Sequence, residues 1–158
     1  MSPRSYAENT SVSVERSKGE LERLLAAHGA TGFGYMIKDS TAVILFEARG
    51  RRIQFTLPLP SITDSAVRLT PTGLDRQPAA VQDALAQATR ARWRALVLVV
   101  KAKLESVALG ITAFEEEFLA QTVLPGGQTA GQWMLPQIAS AYESGRLPPM
   151  LPSGEAPR

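Results

Sequence analysis

Three segments between residues 33 and 59 have the side-chain patterns of β-strands, and these patterns constrain the fold more than any other feature of the sequence. Phe33, Tyr35 and Ile37 alternate in the first segment, 41–47 is a β-rich apolar run, and 51–59 alternates again. Short polar connections separate the segments, which is typical of antiparallel hairpins. Since a strand projects successive side chains to opposite faces, the pattern predicts a three-stranded antiparallel meander with one face on a core.

Helical signals lie on both sides of this meander. Ser17 and Glu20 have capping-box spacing, and Gly29 follows the apolar positions 21–28, which predicts a short first helix. Pro78 begins a long apolar stripe that runs to Gly110, with proline suited to the first turn. The sequence therefore predicts one short helix before the sheet and one long helix after it.

Two more helices are predicted near the C-terminal end. One begins at a second capping box, Thr112 to Glu115, and ends before Pro125; the other begins at Thr129 and ends at Gly145. The resulting fold class is α+β: a short N-terminal helix, a three-stranded meander, a long helix packed on the sheet and two C-terminal helices. We expect residues 1–147 to form a single domain and 148–158 to be a Pro-rich flexible tail.

Composition excludes several kinds of chemistry. The chain of 158 residues has no cysteine and a single histidine, His28, so disulfides, thiolate nucleophiles and Cys- or multi-His metal sites are excluded. We expect no cofactor, because no phosphate-binding glycine motif is present. No apolar run approaches the roughly 20 residues of a membrane helix, and residues 1–10 have no signal-peptide pattern. We therefore expect a cytoplasmic protein with no membrane partner.

Basic residues concentrate in the middle of the chain. Residues 47–103 hold ten Lys and Arg against four acidic residues, whereas 1–46 is balanced and 104–158 has a net charge of −4. A basic segment is what a polyanion-binding surface requires, because each neutralised phosphate releases a counterion. The alternative to a polyanion-binding surface is that these charged side chains are simply on the solvent-exposed surface of a helix and a hairpin.

The basic residues form three groups along the predicted elements. One group is at the hairpin between the second and third strands, and two rows lie on the long helix. The groups are Arg49, Arg51 and Arg52; Arg90, Arg94 and Lys101; and Arg92 with Lys103. If the two rows lie side by side, they and the hairpin predict a groove that follows a phosphate backbone.

Catalytic signals are sparse. Asp39, Glu47 and Arg49 resemble the Asp…Glu-x-Lys pattern of restriction-like nucleases, with arginine in place of lysine. His28 is placed to cap the first helix, and Glu115–Glu117 lie where negative charge favours a helix N-terminus. A metal-dependent nuclease is therefore only an alternative, and we predict a non-catalytic protein.

Several stretches resemble a family of small uncharacterised bacteriophage and prophage proteins. The stretches cover most of the chain: Tyr6–Thr10, Arg49–Arg52 running into Phe55-x-Leu57-Pro58, Arg92–Ala95 through Lys101–Glu105, Phe114–Leu119, Gly131–Met134 and Pro136–Ile138. This resemblance implies phage origin and a bacterial host cell. It does not indicate a particular activity. Separately, the order of helix, meander and long basic helix resembles the core of ring-forming single-strand annealing proteins, which implies a groove for single-stranded DNA.

These observations predict a phage-type protein that binds or anneals single-stranded DNA through a basic groove. The rival hypothesis is an interaction module that binds and inhibits a host protein. The acidic C-terminal third of the chain would suit this function equally well. Self-association is expected too, because Val97, Leu98 and Val99 add apolar surface beside the main stripe of the long helix.

Overall fold

The computed structural model describes residues 7–147, and these have the predicted α+β architecture. The flexible-tail prediction for 148–158 lies outside the described residues. Five helices, three strands and a 3₁₀ turn follow one another within the described part: α1 (Val14–Ala27), β1 (Thr31–Lys38), β2 (Thr41–Ala48), β3 (Arg51–Pro58), α2 (Ser65–Arg68), α3 (Pro78–Ala108), α4 (Phe114–Glu117), the 3₁₀ turn (Leu119–Gln121) and α5 (Ala130–Ser144).

The strands form an antiparallel sheet in the order β1-β2-β3, which confirms the meander. The β2–β3 turn contains Arg49 and Gly50 at φ 49° and 70°. Positive φ at both central residues gives the two-residue hairpin turn whose twist matches that of the strands. The arginine-rich segment 49–52 is thereby fixed at one end of the sheet.

One face of the sheet carries the core. Ile44 and Phe46 of β2 and Ile53 of β3 are almost completely buried against the helices. The buried side of α3 is a stripe, and it packs together with α1 on that face. The stripe consists of Trp93, Leu96, Val97, Val100 and Leu104. On the opposite face Met36, Leu45 and Thr56 are exposed, so the helices of the described residues form a layer on one face of the sheet.

Helix α1 begins earlier than its capping box predicts. The helix starts at Val14, and the Ser13 hydroxyl accepts a hydrogen bond from the Arg16 amide at 3.2 Å. Ser17, the predicted cap, is fully buried inside the helix, and Glu20 binds another helix instead of the Ser17 amide. The capping-box prediction at Ser17 is therefore wrong, because a second serine one turn earlier satisfies the helix end.

The region of the second predicted capping box also differs from expectation. Helix α4 is a single turn that begins at Phe114, and a separate 3₁₀ turn follows it. The Thr112 hydroxyl donates to the Glu117 carboxylate at 2.8 Å rather than capping Glu115. The segment between β3 and α3 contains the short helix α2. The predicted last helix, capped by Thr129 and ended by Gly145, is confirmed.

No helix within residues 7–147 combines the length and the apolarity that crossing a bilayer requires.

Candidate nucleic-acid interface

The two predicted basic rows lie on opposite sides of α3. Successive helical residues are about 100° apart, so Arg92 and Arg94 diverge by about 200° around the axis. The contacts agree with this geometry. Arg94 Nη1 donates to Glu20 of α1 at 2.6 Å, whereas Lys103 Nζ donates to the Glu117 backbone carbonyl beside α4 at 2.8 Å. The rows therefore cannot form two neighbouring lines of one groove.

Three of the eight predicted residues are ion-paired. Arg94 pairs with Glu20, and Lys103 lies 3.2 Å from the Glu117 carboxylate. Both side chains are mostly buried, with 24% and 22% of their surface exposed. Arg52 pairs with Glu47 at 3.3 Å, but there both partners are more than half exposed. Because water screens an exposed pair, the Arg52–Glu47 contact is weak and can be exchanged for another anion.

The other five carry no ion pair to an acidic group of residues 7–147. Arg90 donates to the side-chain oxygen of Gln87. Arg92 and Lys101 are exposed on opposite flanks of α3. Arg49 and Arg51 are exposed at the hairpin turn. The hairpin is thus where the structure brings together cations without carboxylate partners.

An aromatic contact positions Arg49. Its guanidinium carbon lies 5.4 Å from the centre of the Phe114 ring in α4. Phe114 packs on Phe118 at 4.7 Å, and Lys103 Nζ lies 5.6 Å from the Phe118 ring. Cation–π contacts of this kind orient a guanidinium without neutralising it. Helix α4 therefore fixes Arg49 while leaving its positive charge available.

A cleft opens beside the hairpin turn, which we call the hairpin-tip cleft. Its volume is about 690 Å³. One wall is the end of the β2–β3 hairpin with Thr31, and the other is a loop that ends near α5. The lining residues are Thr31, Glu47, Ala48, Gly50, Arg51, Arg52, Thr122, Val123, Leu124, Pro125 and Gly127. Two guanidinium groups and one carboxylate thus border a single concave surface.

The loop wall is held in place by backbone hydrogen bonds. The Val123 amide donates to the Arg52 carbonyl at 2.8 Å, and Thr122 forms a β-bridge with Ile53. The Leu124 amide donates to the Gln128 carbonyl, also at 2.8 Å, which closes the Pro-Gly-Gly turn. The sequence predicts Pro125–Gly127 only as a helix breaker. The β-branched pair Thr122-Val123 before that turn was the signal of a small hairpin added to β3.

Lys103 and Glu117 belong to a structural network rather than to the cleft. Besides Lys103, the Glu117 carboxylate accepts from the Thr112 hydroxyl at 2.8 Å. The Thr112 hydrogen bond, followed by the bond from Lys103, lowers the pKa of Glu117 from its ordinary value of 4.5. This network links the C-terminal half of α3 to α4, so Lys103 has a structural role.

The nuclease-like residues do not converge. Asp39 precedes β2 in an exposed turn at φ 54°, and Glu47 lies near the other end of that strand. At about 3.3 Å per residue, the two carboxylates are roughly 20 Å apart. One metal ion cannot bridge that distance, and residues 7–147 contain no cluster of three potential acidic, His or Cys ligands. His28 has the expected capping position, with Nδ1 donating to the Leu24 carbonyl at 2.9 Å.

No protein-family model matches the chain, and no curated protein or solved structure is significantly similar to it. The resemblance to phage proteins therefore stays a prediction.

Proposed function

We propose that this protein binds single-stranded nucleic acid non-catalytically, with the hairpin-tip cleft contacting the phosphate backbone. The observation that carries the proposal is Arg51, which lines the cleft and has no acidic partner in residues 7–147, with Arg49 close by in the same turn. This site replaces the longer groove expected from the sequence.

Phosphate is the anion that best suits these side chains. A guanidinium group donates through a planar fork that matches two phosphate oxygens, and its face can stack on a base. Arg52 adds a third guanidinium, held only by an exposed pair with Glu47. An incoming phosphate can replace that carboxylate at little cost, because an exposed pair contributes about 0–1 kcal/mol.

The size of the cleft suits one nucleotide unit of a strand. A volume of about 690 Å³ is within the range of sites that enclose a small ligand such as a nucleotide. The glycines at positions 50 and 127 lack side chains that would keep a sugar-phosphate chain away from the backbone. Because backbone hydrogen bonds already fix the loop wall, binding costs little ordering entropy there.

The phage-protein resemblance favours DNA as the strand, and annealing of complementary strands is the activity that the fold-level resemblance implies. The basic middle segment supports the same class of ligand. Binding to a host protein stays the alternative hypothesis.

Equilibrium binding to a fluorescently labelled oligonucleotide, followed by anisotropy, tests the proposal. Arg51→Gln should weaken binding several-fold, whereas Arg68→Gln should change it little. Both variants lose one positive charge, but Arg68 is paired with Asp75 at 3.4 Å and lies outside the cleft. Equal effects of the two variants would contradict a localised site.

Glu47→Gln separates this proposal from the nuclease hypothesis. Removing the only carboxylate in the cleft lining should tighten oligonucleotide binding. Glu22→Gln, which makes the same charge change at an exposed position of α1, is the matched control. If Glu47→Gln instead abolishes Mg²⁺-dependent cleavage of the oligonucleotide, the protein is an enzyme and the non-catalytic proposal fails.

A further inference from the structure

Glu47 is the one carboxylate among the residues that line the hairpin-tip cleft. It lies near the end of β2, and its cross-strand partners are Thr31 of β1 and Arg52 of β3, which line the cleft too. Cross-strand partners have Cβ atoms about 4.5–5.5 Å apart and project to the same face of a sheet. The sheet therefore holds the Glu47 carboxylate in a row between a hydroxyl and a guanidinium group.

The contacts of Glu47 within the protein use only part of its carboxylate. Oε1 accepts from Arg52 Nη2 at 3.3 Å, and no hydrogen bond within residues 7–147 reaches Oε2. Because Phe46 and Ala48 are buried in the core, Glu47 points to the opposite face, and 56% of its side chain is exposed. A carboxylate has about four lone-pair sites on its two oxygens, so Glu47 keeps the capacity to accept hydrogen bonds from a ligand.

Phosphate binding at Arg52 frees the other oxygen as well. Under the proposed function, a phosphate replaces Glu47 at the exposed Arg52 guanidinium, which leaves both Glu47 oxygens without a donor. A carboxylate near a bound phosphate is repelled by it unless the strand also donates hydrogen bonds to that carboxylate. In a DNA strand the bases supply the N–H donors.

The four bases differ in what their Watson–Crick edges offer to a carboxylate, and single strands leave these edges open to a protein. Guanine has two adjacent N–H donors, one on the ring and one on the amino group, which match the two oxygens. Adenine and cytosine have one amino group beside a ring nitrogen that only accepts. Thymine has a single N–H between two carbonyl oxygens, which repel a carboxylate. Since hydrogen bonds to an ionised acceptor are roughly twice as strong as neutral ones, these differences affect affinity.

We propose that Glu47 selects the base that binds in the hairpin-tip cleft, with guanine favoured most and thymine least. This inference rests on the proposed function, in which guanidinium groups of the cleft hold the phosphate. It goes further because it assigns the site a preferred base. A cleft of about 690 Å³ is within the size range of sites that enclose a base together with its phosphate.

Fluorescence anisotropy with three labelled strands of equal length tests the base preference. One strand is all thymine, the second alternates guanine and thymine, and the third has inosine in place of guanine, which removes the amino donor and keeps the ring N–H. Wild-type protein should bind the guanine strand at least about fivefold tighter than the thymine strand, with the inosine strand between them.

Glu47→Gln should bind the three strands alike, because an amide offers one acceptor oxygen and no charge. It should also bind the thymine strand tighter than wild type does, since the repulsion of phosphate is removed. Glu22→Gln loses the same charge on α1, outside the cleft lining, and should keep the wild-type ratio between strands. A ratio of affinities within one protein does not depend on the folded fraction, so loss of folding cannot imitate this result.

Calorimetric titration with 5′-GMP and 5′-TMP separates this inference from the proposed function, because a mononucleotide carries base and phosphate without a strand. If no strand binds but wild type prefers GMP and Glu47→Gln does not, strand binding fails and base selection stands. Strands that bind equally whatever their bases, or a guanine preference that survives in Glu47→Gln, would overturn base selection by Glu47 and leave phosphate binding intact. If neither strands nor mononucleotides bind, both proposals fail.

Discussion

Ser13 and Ser17 lie one helical turn apart at the start of α1 and differ in what their hydroxyl oxygens contact. Ser13 accepts the Arg16 amide, whereas the buried Ser17 oxygen has no hydrogen-bond partner among the described residues. Ser13→Ala should lower the free energy of unfolding by about 1 kcal/mol through loss of the cap. Ser17→Ala should leave it unchanged or raise it, because it removes a buried polar group without a partner. Urea denaturation measures both, and a larger loss for Ser17→Ala would restore the capping box predicted from the sequence.

Glu117 makes the stability of the α3–α4 junction dependent on pH. The pKa of Glu117 is lowered in the folded state. Its contribution to folding stability is therefore complete above the ordinary pKa of 4.5, and it is lost as the pH falls through the lowered pKa of the folded state. The stability difference between wild type and Glu117→Gln should therefore be largest near neutral pH and shrink below pH 4.5.

The measurement is urea denaturation across that range. Glu115→Gln is the control, because it removes the same charge at an exposed position outside the Lys103 network. If the stability difference between wild type and Glu117→Gln instead grew as the pH falls, the network assigned to Glu117 would be contradicted.

At the scale of elements, replacing either of two helical glycines by alanine should change the stability of the protein, and the two changes should have opposite signs. Apart from its chain neighbours and the local helix backbone, Gly19 in α1 has no atom within 4 Å of the point that an alanine Cβ would occupy, so Gly19→Ala should raise stability by about 0.5–1 kcal/mol through helix propensity. Gly131→Ala should lower stability despite the same propensity gain, because the new Cβ would approach the Ala120 carbonyl oxygen. Thermal unfolding distinguishes the two signs, and stabilisation by both changes would show that α5 is not anchored at this contact.

The strands and the long helix were predictable because their signals are repetitive. Alternation in 51–59 specifies which residues of the third strand face the core, and Ile53, Phe55 and Leu57 are buried accordingly. Helix ends were less predictable, since Ser13 and Ser17 both fit a local capping pattern and only packing chooses between them. The exposure of Tyr35 on an apolar face could not be predicted, because it depends on how far α1 and α3 extend over the sheet.

At the scale of the whole molecule, the sequence predicted part of the candidate site. Arg51 and Arg52 at the hairpin do line a concave surface. We expected the two rows on α3 to lie side by side, because residues eleven apart share one face of a helix. The two rows are offset by two residues, however, and residues two apart lie on nearly opposite sides of a helix. The ion pairs of Arg94 and Lys103 with Glu20 and Glu117 could not be predicted, because the approach of those carboxylates depends on tertiary packing.

The salt dependence of oligonucleotide binding tests the central claim most directly. For single strands, the slope of log K against log salt concentration falls by about 0.7 for each lost phosphate contact. The double variant Arg51→Gln/Arg52→Gln, which removes both guanidinium groups of the cleft lining, should therefore have a slope about 1.4 smaller in magnitude than wild type. The same slope in both proteins, or no binding by the wild type at low salt, would contradict phosphate recognition at the hairpin-tip cleft.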